Sequence, residues 1–226
     1  MRTWMALLLI GLLGPCAAAA AEHDPAQTLY FGSVAMDIPA EMHRRLKPLT
    51  DYLSSEIKRP VQLRLSANLN AAADEVAAGR VDIAYLTPVA YLRAREQGDA
   101  RLVVKMITRD ERSFRLMIAV RHDSPIQKPR DLVGKSFAFG DRAAILQRAV
   151  VVGAGIKLEE LGSYRFIGHY DNIARGVASG DFDAGILKDT TAYEWERKGL
   201  RVIHSSPELP PYNIVVSRRI DEGLYA

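Results

Sequence analysis

The chain has 226 residues, with 30 Lys plus Arg against 27 Asp plus Glu, a formal net charge of +3, 48% hydrophobic residues, 16 Gly and 11 Pro. That is ample apolar material for a packed core, which excludes a disordered or collagen-like chain. The cations and anions are interspersed, with no block of like charge that would form a polyphosphate-binding arm, so nucleic acid is not expected as a partner.

The chain opens as an export signal. Arg2 supplies a cationic start, residues 4–13 form an apolar run, and Ala17 to Ala21 offer Ala-x-Ala cleavage choices ahead of Glu22. The run falls short of the ~20 apolar residues that a spanning helix needs, so residues 1–21 are expected to be a cleaved signal peptide and the mature protein to be periplasmic. Cys16, the single cysteine, follows Leu13-Gly14-Pro15, a poor fit to a lipid-acceptor site, and it leaves with the signal. The mature chain then has no disulfide, no thiol nucleophile and no cysteine-based metal site.

Short β-branched runs next alternate with helical stretches, the pattern of an α/β protein with a largely parallel sheet. Residues 28–31 read as a first strand, closed by Gly32-Ser33. Met42, Leu46, Leu49, Leu53 and Ile57 lie on one face of a helix. Pro48 either kinks that helix or restarts it. A second strand at 61–65, an Ala-rich helix at 70–78 stopped by Gly79, a third strand at 81–86 and a helix at 89–95 begun by Thr87-Pro88 follow.

The second half repeats this arrangement. Residues 76–86 align with residues 177–187 at a constant offset of 101, with five of eleven positions identical: Val76 with Val177, Ala77 with Ala178, Gly79 with Gly180, Asp82 with Asp183 and Leu86 with Leu187. Upstream, Arg64-Leu65 before Asn68 matches Arg165-Phe166 before His169 at the same offset. Two lobes built on one strand-loop-helix-strand unit are implied, the plainer alternative being two unrelated units that each end a helix with Gly and open a strand with Asp.

The chain resembles the periplasmic substrate-binding proteins of phosphate, phosphite and phosphonate ABC transporters, from Leu29 to about Asp221. The segments that carry the resemblance are Gly79-Arg-Val-Asp-Ile-Ala-Tyr-Leu-Thr-Pro-Val-Ala-Tyr91, His122-Asp-Ser-Pro-Ile126 with Asp131-Leu-Val-Gly-Lys135, Gly168-His-Tyr-Asp171, and Gly180-Asp-Phe-Asp-Ala184. The resemblance implies a two-lobed type II periplasmic binding protein fold with a ligand cleft between the lobes. We expect lobe 1 to hold residues 22–118 plus 204–226 and lobe 2 residues 119–203. It also implies capture of a small anionic ligand, an inner-membrane ABC permease as partner and a monomeric protein without cofactor. The same fold could instead sense the ligand for a membrane sensor kinase. The family pattern continues with further helix past Arg219-Ile-Asp-Glu222, close to where this chain ends.

In open α/β sheets ligands lie beyond the carboxyl ends of the strands, where following helices turn their free N–H groups to the pocket. The residues there are Ser33, Asn68, Tyr85, Thr87, Arg142, His169 and Lys188, with Tyr91 as a further wall. Ser33, Asn68 and Thr87 suit neutral donation to an oxyanion, and Arg142 or Lys188 suits charge-assisted bonding. Thr87 fits a plain helix cap as well, His169 a cap between lobes, Arg142 a solvated loop cation, Lys188 a surface pair with Asp189, and the two tyrosines a core role. Where phosphonate binders of the family carry a Ser-Thr-Ser-Gly cradle, this chain reads Phe139-Gly-Asp-Arg-Ala-Ala-Ile-Leu-Gln147, shorter and without the hydroxyls. Arg142 or Lys188 is expected to compensate.

No enzyme is expected. There is no Gly-x-Ser-x-Gly elbow and no His-Glu-x-x-His, and the histidines at 23, 43, 122, 169 and 204 lack metal-ligand spacing.

Overall fold

A computed structural model describes residues 28–34, 39–108 and 110–225. The expected signal peptide, 1–21, lies outside the described residues.

Strand β1 (Leu29–Val34) is buried along its length except at Tyr30, as suits a parallel strand flanked on both sides. Helix α1 (Pro39–Ile57) runs unbroken through Pro48. Its Leu46, Leu49, Leu53 and Ile57 pack on Leu29, Phe31, Val61 and Ile83, one row of side chains covering one face of a sheet. There follow β2 (Val61–Ser66), α2 (Leu69–Ala77), β3 (Ile83–Leu86), α3 (Pro88–Gly98) and β4 (Arg101–Lys105). Strand β5 (Leu116–Arg121) opens the second half, with β6 (Ser136–Phe139), α4 (Ile145–Gly153), β7 (Ser163–Phe166), α5 (Tyr170–Ser179), β8 (Ala184–Lys188), α6 (Asp189–Glu196) and β9 (Leu200–Ser205). Strand β10 (Asn213–Val216) and the short α7 (Glu222–Tyr225) end the described chain.

These strands form two five-stranded sheets, ordered β2-β1-β3-β10-β4 and β7-β6-β8-β5-β9. The orders match position for position. In each sheet the first three strands are parallel, and the fourth, β10 or β5, runs antiparallel to both its neighbours. The repeated segments, with β3 in one and β8 in the other, therefore lie in separate sheets. Gly79 and Gly180 end α2 and α5 with φ of +68° and +86°, which only a residue without Cβ adopts freely.

Sheet membership shifts the expected lobe limits by a few residues. Strand β5 starts at Leu116 and β9 runs to Ser205, so residues 116–118 and 204–205 belong to the second sheet, not the first. The physical reason is that the ladder bonds run on past the expected boundary, Leu116 opposite Lys188 and Met117 opposite Ser205, through a bulge between Ile118 and Ala119.

Two segments cross between the sheets, after β4 and after β9, and they pair with each other. Met106 N–H donates to Tyr212 O at 2.8 Å, Phe114 and Leu209 exchange N–H···O bonds of 3.1 and 2.8 Å, and Ser206 N–H donates to Leu116 O at 2.9 Å. The Tyr212 ring fills the join, 5.1 Å from Tyr85 and 5.6 Å edge-on from Phe114.

Candidate functional site

A cavity of about 420 Å³ lies between the two sheets. Its polar lining comes from the turns that lead from strand to helix. Asn68 closes the turn after β2 and caps α2, its Oδ1 accepting from Ala71 N at 2.9 Å. Thr87 follows β3 and caps α3, its Oγ1 accepting from Ala90 N at 3.2 Å, with Pro88 at the first helical position. From the other sheet come Gly140 to Gln147, ahead of and inside the first turn of α4, and His169, the residue before α5. The His169 side chain makes no capping bond, so the first N–H groups of α5 keep the unpaired state of a bare helix end.

Asn68, Thr87, Arg142 and His169, all expected at the site, thus line one cavity. Arg142 holds its guanidinium 4.7 Å from the centroid of the Phe166 ring, and Arg148 lies over the same ring at 5.7 Å while donating to Arg142 O at 2.6 Å.

The other four expected residues lie outside the lining. Ser33 is fully buried within β1, its hydroxyl donating to Val34 O at 3.2 Å, because the strand runs one residue past it. Tyr85 is inside β3 and packs at a tilt against Tyr212; burial pushes its phenol up to about 12. Tyr91 sits within α3 and packs on the small-residue core shared with α2. The Lys188 ammonium lies 5.3 Å from the Phe114 ring and 4.9 Å from that of Tyr212, two rings of the cavity wall.

Several lining residues escaped the sequence reading. Tyr212 and Phe114 enter from the two crossing segments, which carry no periodic signal. Gln147 Oε1 accepts from Gly140 N at 2.7 Å, and its Nε2 reaches the Tyr170 hydroxyl at 3.4 Å, tying the loop before α4 to the start of α5. Desolvation raises the phenols of Tyr170 and Tyr212 above the ordinary value, so both are neutral hydroxyls at physiological pH. Asp141 links the two halves: its Oδ2 accepts from Leu69 N, the first residue of α2, at 2.9 Å, and its Oδ1 from Ala143 N at 2.7 Å. The Gly-Asp pair after a strand was the available signal.

Against known proteins, the sequence pattern of the family described as "ABC transporter, phosphonate, periplasmic substrate-binding protein" matches residues 31–226. The chain is 28% identical over 174 residues to the phosphate-import protein PhnD of Mycolicibacterium smegmatis, a match that covers 68% of this chain and 54% of that protein. This chain thus spans about half the length of that relative. In three dimensions it is similar to PhnD1 of Prochlorococcus marinus, solved in complex with methylphosphonate, with a TM-score of 0.77, 18% identity, and coverage of 89% of this chain and 80% of the other. A binding-protein component of an ABC phosphonate transporter from Pseudomonas aeruginosa gives a TM-score of 0.77 at 15% identity, over 86% of this chain and 70% of the other. The fold is that of the two-lobed type II periplasmic binding proteins.

Proposed function

Because the chain belongs to the periplasmic substrate-binding proteins of phosphonate ABC transporters, we propose that it captures a small oxyanion of the phosphonate, phosphite or phosphate class between its lobes and hands it to an inner-membrane ABC permease. The observation that carries this reading is the meeting of strand-to-helix turns from both sheets on one cavity, with Arg142 and His169 among the lining residues. Helix ends supply oriented N–H donors and a favourable dipole for negative charge, and a guanidinium adds charge-assisted bonding. In this reading lobe 1 is the β1–β4 and β10 sheet with its helices, lobe 2 is the β5–β9 sheet, and the paired crossing segments are the hinge. The role is capture and release rather than catalysis, by a monomer exported with loss of residues 1–21; N-terminal sequencing of the exported protein should begin near Glu22.

Titration calorimetry against phosphate, phosphite and alkylphosphonates tests the reading. Arg142→Ala and His169→Ala should each weaken the best ligand about ten- to a hundredfold, the loss of about 1.5–3 kcal/mol for one charge-assisted bond. A neutral or cationic best ligand, or variants that bind as the parent does, would refute it.

A further inference from the structure

We infer that the cavity selects an oxyanion carrying a bulky apolar substituent over an inorganic one, and that Asp141 is the residue that excludes the small anion; this rests on the oxyanion reading above. The cavity wall is the first reason. Val34, Leu69, Phe114, Ile145, Phe166 and Tyr212 all line it, and a volume of about 420 Å³ falls within the ~300–1,000 Å³ of pockets that enclose whole organic ligands. Inorganic phosphate, a central atom and its oxygens, would leave most of that apolar surface against water.

The second reason is how the N–H donors are used. A cradle for a small tetrahedral anion needs main-chain N–H groups turned to it, and here three of them are committed to Asp141. Ala143 N–H goes to Asp141 Oδ1 at 2.7 Å, Ala144 N–H to Asp141 O at 2.9 Å, and Leu69 N–H from the other sheet to Asp141 Oδ2 at 2.9 Å. The carboxylate already occupies the head of α2 and the turn before α4, two of the helix ends that a small anion would take, and leaves only the bare head of α5 beside His169. An entering phosphate would have to displace a carboxylate from its donors and then sit beside a like charge. A longer ligand avoids the conflict. Its oxyanion can lie at Arg142, which the Phe166 ring and Arg148 hold in place, while its body covers the apolar wall.

Titration of the full chain with inorganic phosphate, methylphosphonate, butylphosphonate and phenylphosphonate decides the matter. Affinity should rise about fourfold per buried methylene from methyl to butyl, the equivalent of ~0.8 kcal/mol each. Phenylphosphonate should bind at least tenfold tighter than methylphosphonate. Asp141→Asn, nearly the same shape without the charge, should raise affinity for inorganic phosphate at least tenfold more than for phenylphosphonate. Asp141→Ser, whose hydroxyl can still accept from Ala143, replaces it if the melting curve shows that the first variant does not fold. A flat or falling alkyl series, or a variant that moves both ligands equally, overturns this inference and leaves the oxyanion reading standing. Failure of every oxyanion to bind overturns both.

Discussion

The two lobes share one sheet order and one repeated unit, yet they finish their helix ends differently. At offset 101, Asn68 pairs with His169 and Thr87 with Lys188, and all four are the residues just before a helix. In lobe 1 the side chains are short and neutral and bond to their own helices, at 2.9 and 3.2 Å. In lobe 2 they are basic, and neither caps its helix. The same backbone position therefore carries a side chain that caps its own helix in one lobe and one that does not in the other. The cores differ in the same spirit. Lobe 1 packs α2 and α3 through Ala72, Ala73, Ala90 and Ala94, whereas lobe 2 fills its sheet with Phe137 and Phe139, 4.7 Å apart.

If the lobes were independent units, each would unfold by itself, and the tyrosines at their join give the largest test of that. Tyr85 comes from β3, Tyr170 from the start of α5 and Tyr212 from the second crossing segment. Burial raises all three phenols, that of Tyr85 to about 12 from an ordinary 10.0. The folded state therefore holds these protons longer than the unfolded one. The contribution of Tyr85 to stability is complete below pH 10 and is lost as the pH rises through about 12, roughly 3 kcal/mol once both states have titrated, and the buried Tyr170 and Tyr212 act in the same direction. Urea unfolding between pH 9 and pH 12 should show one transition moving to lower denaturant, with Tyr85→Phe less sensitive to pH than the parent. Two separate transitions would mean that the aromatic join does not couple the lobes.

The second contrast lies in the repeated aspartates. Asp82 Oδ2 accepts from Tyr30 N at 2.8 Å and the residue is 5% exposed; Asp183 Oδ2 accepts from Ser136 N and Ser136 Oγ, both at 2.8 Å, but is exposed. Each pins the start of a parallel strand, β1 or β6, but Asp82 does so buried and Asp183 exposed, with a second bond from the Ser136 hydroxyl. Loss of a buried acceptor leaves the N–H without water, so Asp82→Ala should cost about 2–3 kcal/mol and Asp183→Ala about 1 kcal/mol or less. Equal losses in chemical denaturation would show that the two positions are buried alike in solution.

Much of this could be read in the sequence because the repeat is local. Helix faces, the glycine stops and the helix starts at 68, 87 and 169 follow from residues a few positions apart, and the structure puts each of those three residues just before a helix. The cavity lining was legible where it sits on such turns, as for Asn68, Thr87, Arg142 and His169. Ser33 and Tyr85 failed the same rule because their strands run on by a residue, an extent set by pairing with Leu65 and with Ile214 across the sheet. Tyr212 and Phe114 reach the cavity only through the pairing of two crossing segments about a hundred residues apart in sequence, and Asp141 matters only because Leu69 of the other lobe faces it. No local pattern encodes such contacts.

The smallest expected effect tests the contrast at the helix ends. Removing a capping side chain costs about 1 kcal/mol, because one of the orphan N–H groups of the first turn loses its partner. Asn68→Ala and Thr87→Ala should each do so, lowering the melting temperature by about 2–4 °C for a protein of this size. His169→Ala breaks no capping bond, so its melting temperature should stay within a degree of the parent while its affinity for the ligand falls. Thermal denaturation followed by circular dichroism, run beside the calorimetry on the same preparations, reads both quantities. If His169→Ala melts as early as Asn68→Ala, the histidine serves its own helix as the asparagine does, and the division of labour between the lobes is gone. If it melts with the parent but binds weakly, the matched position serves stability in one lobe and recognition in the other.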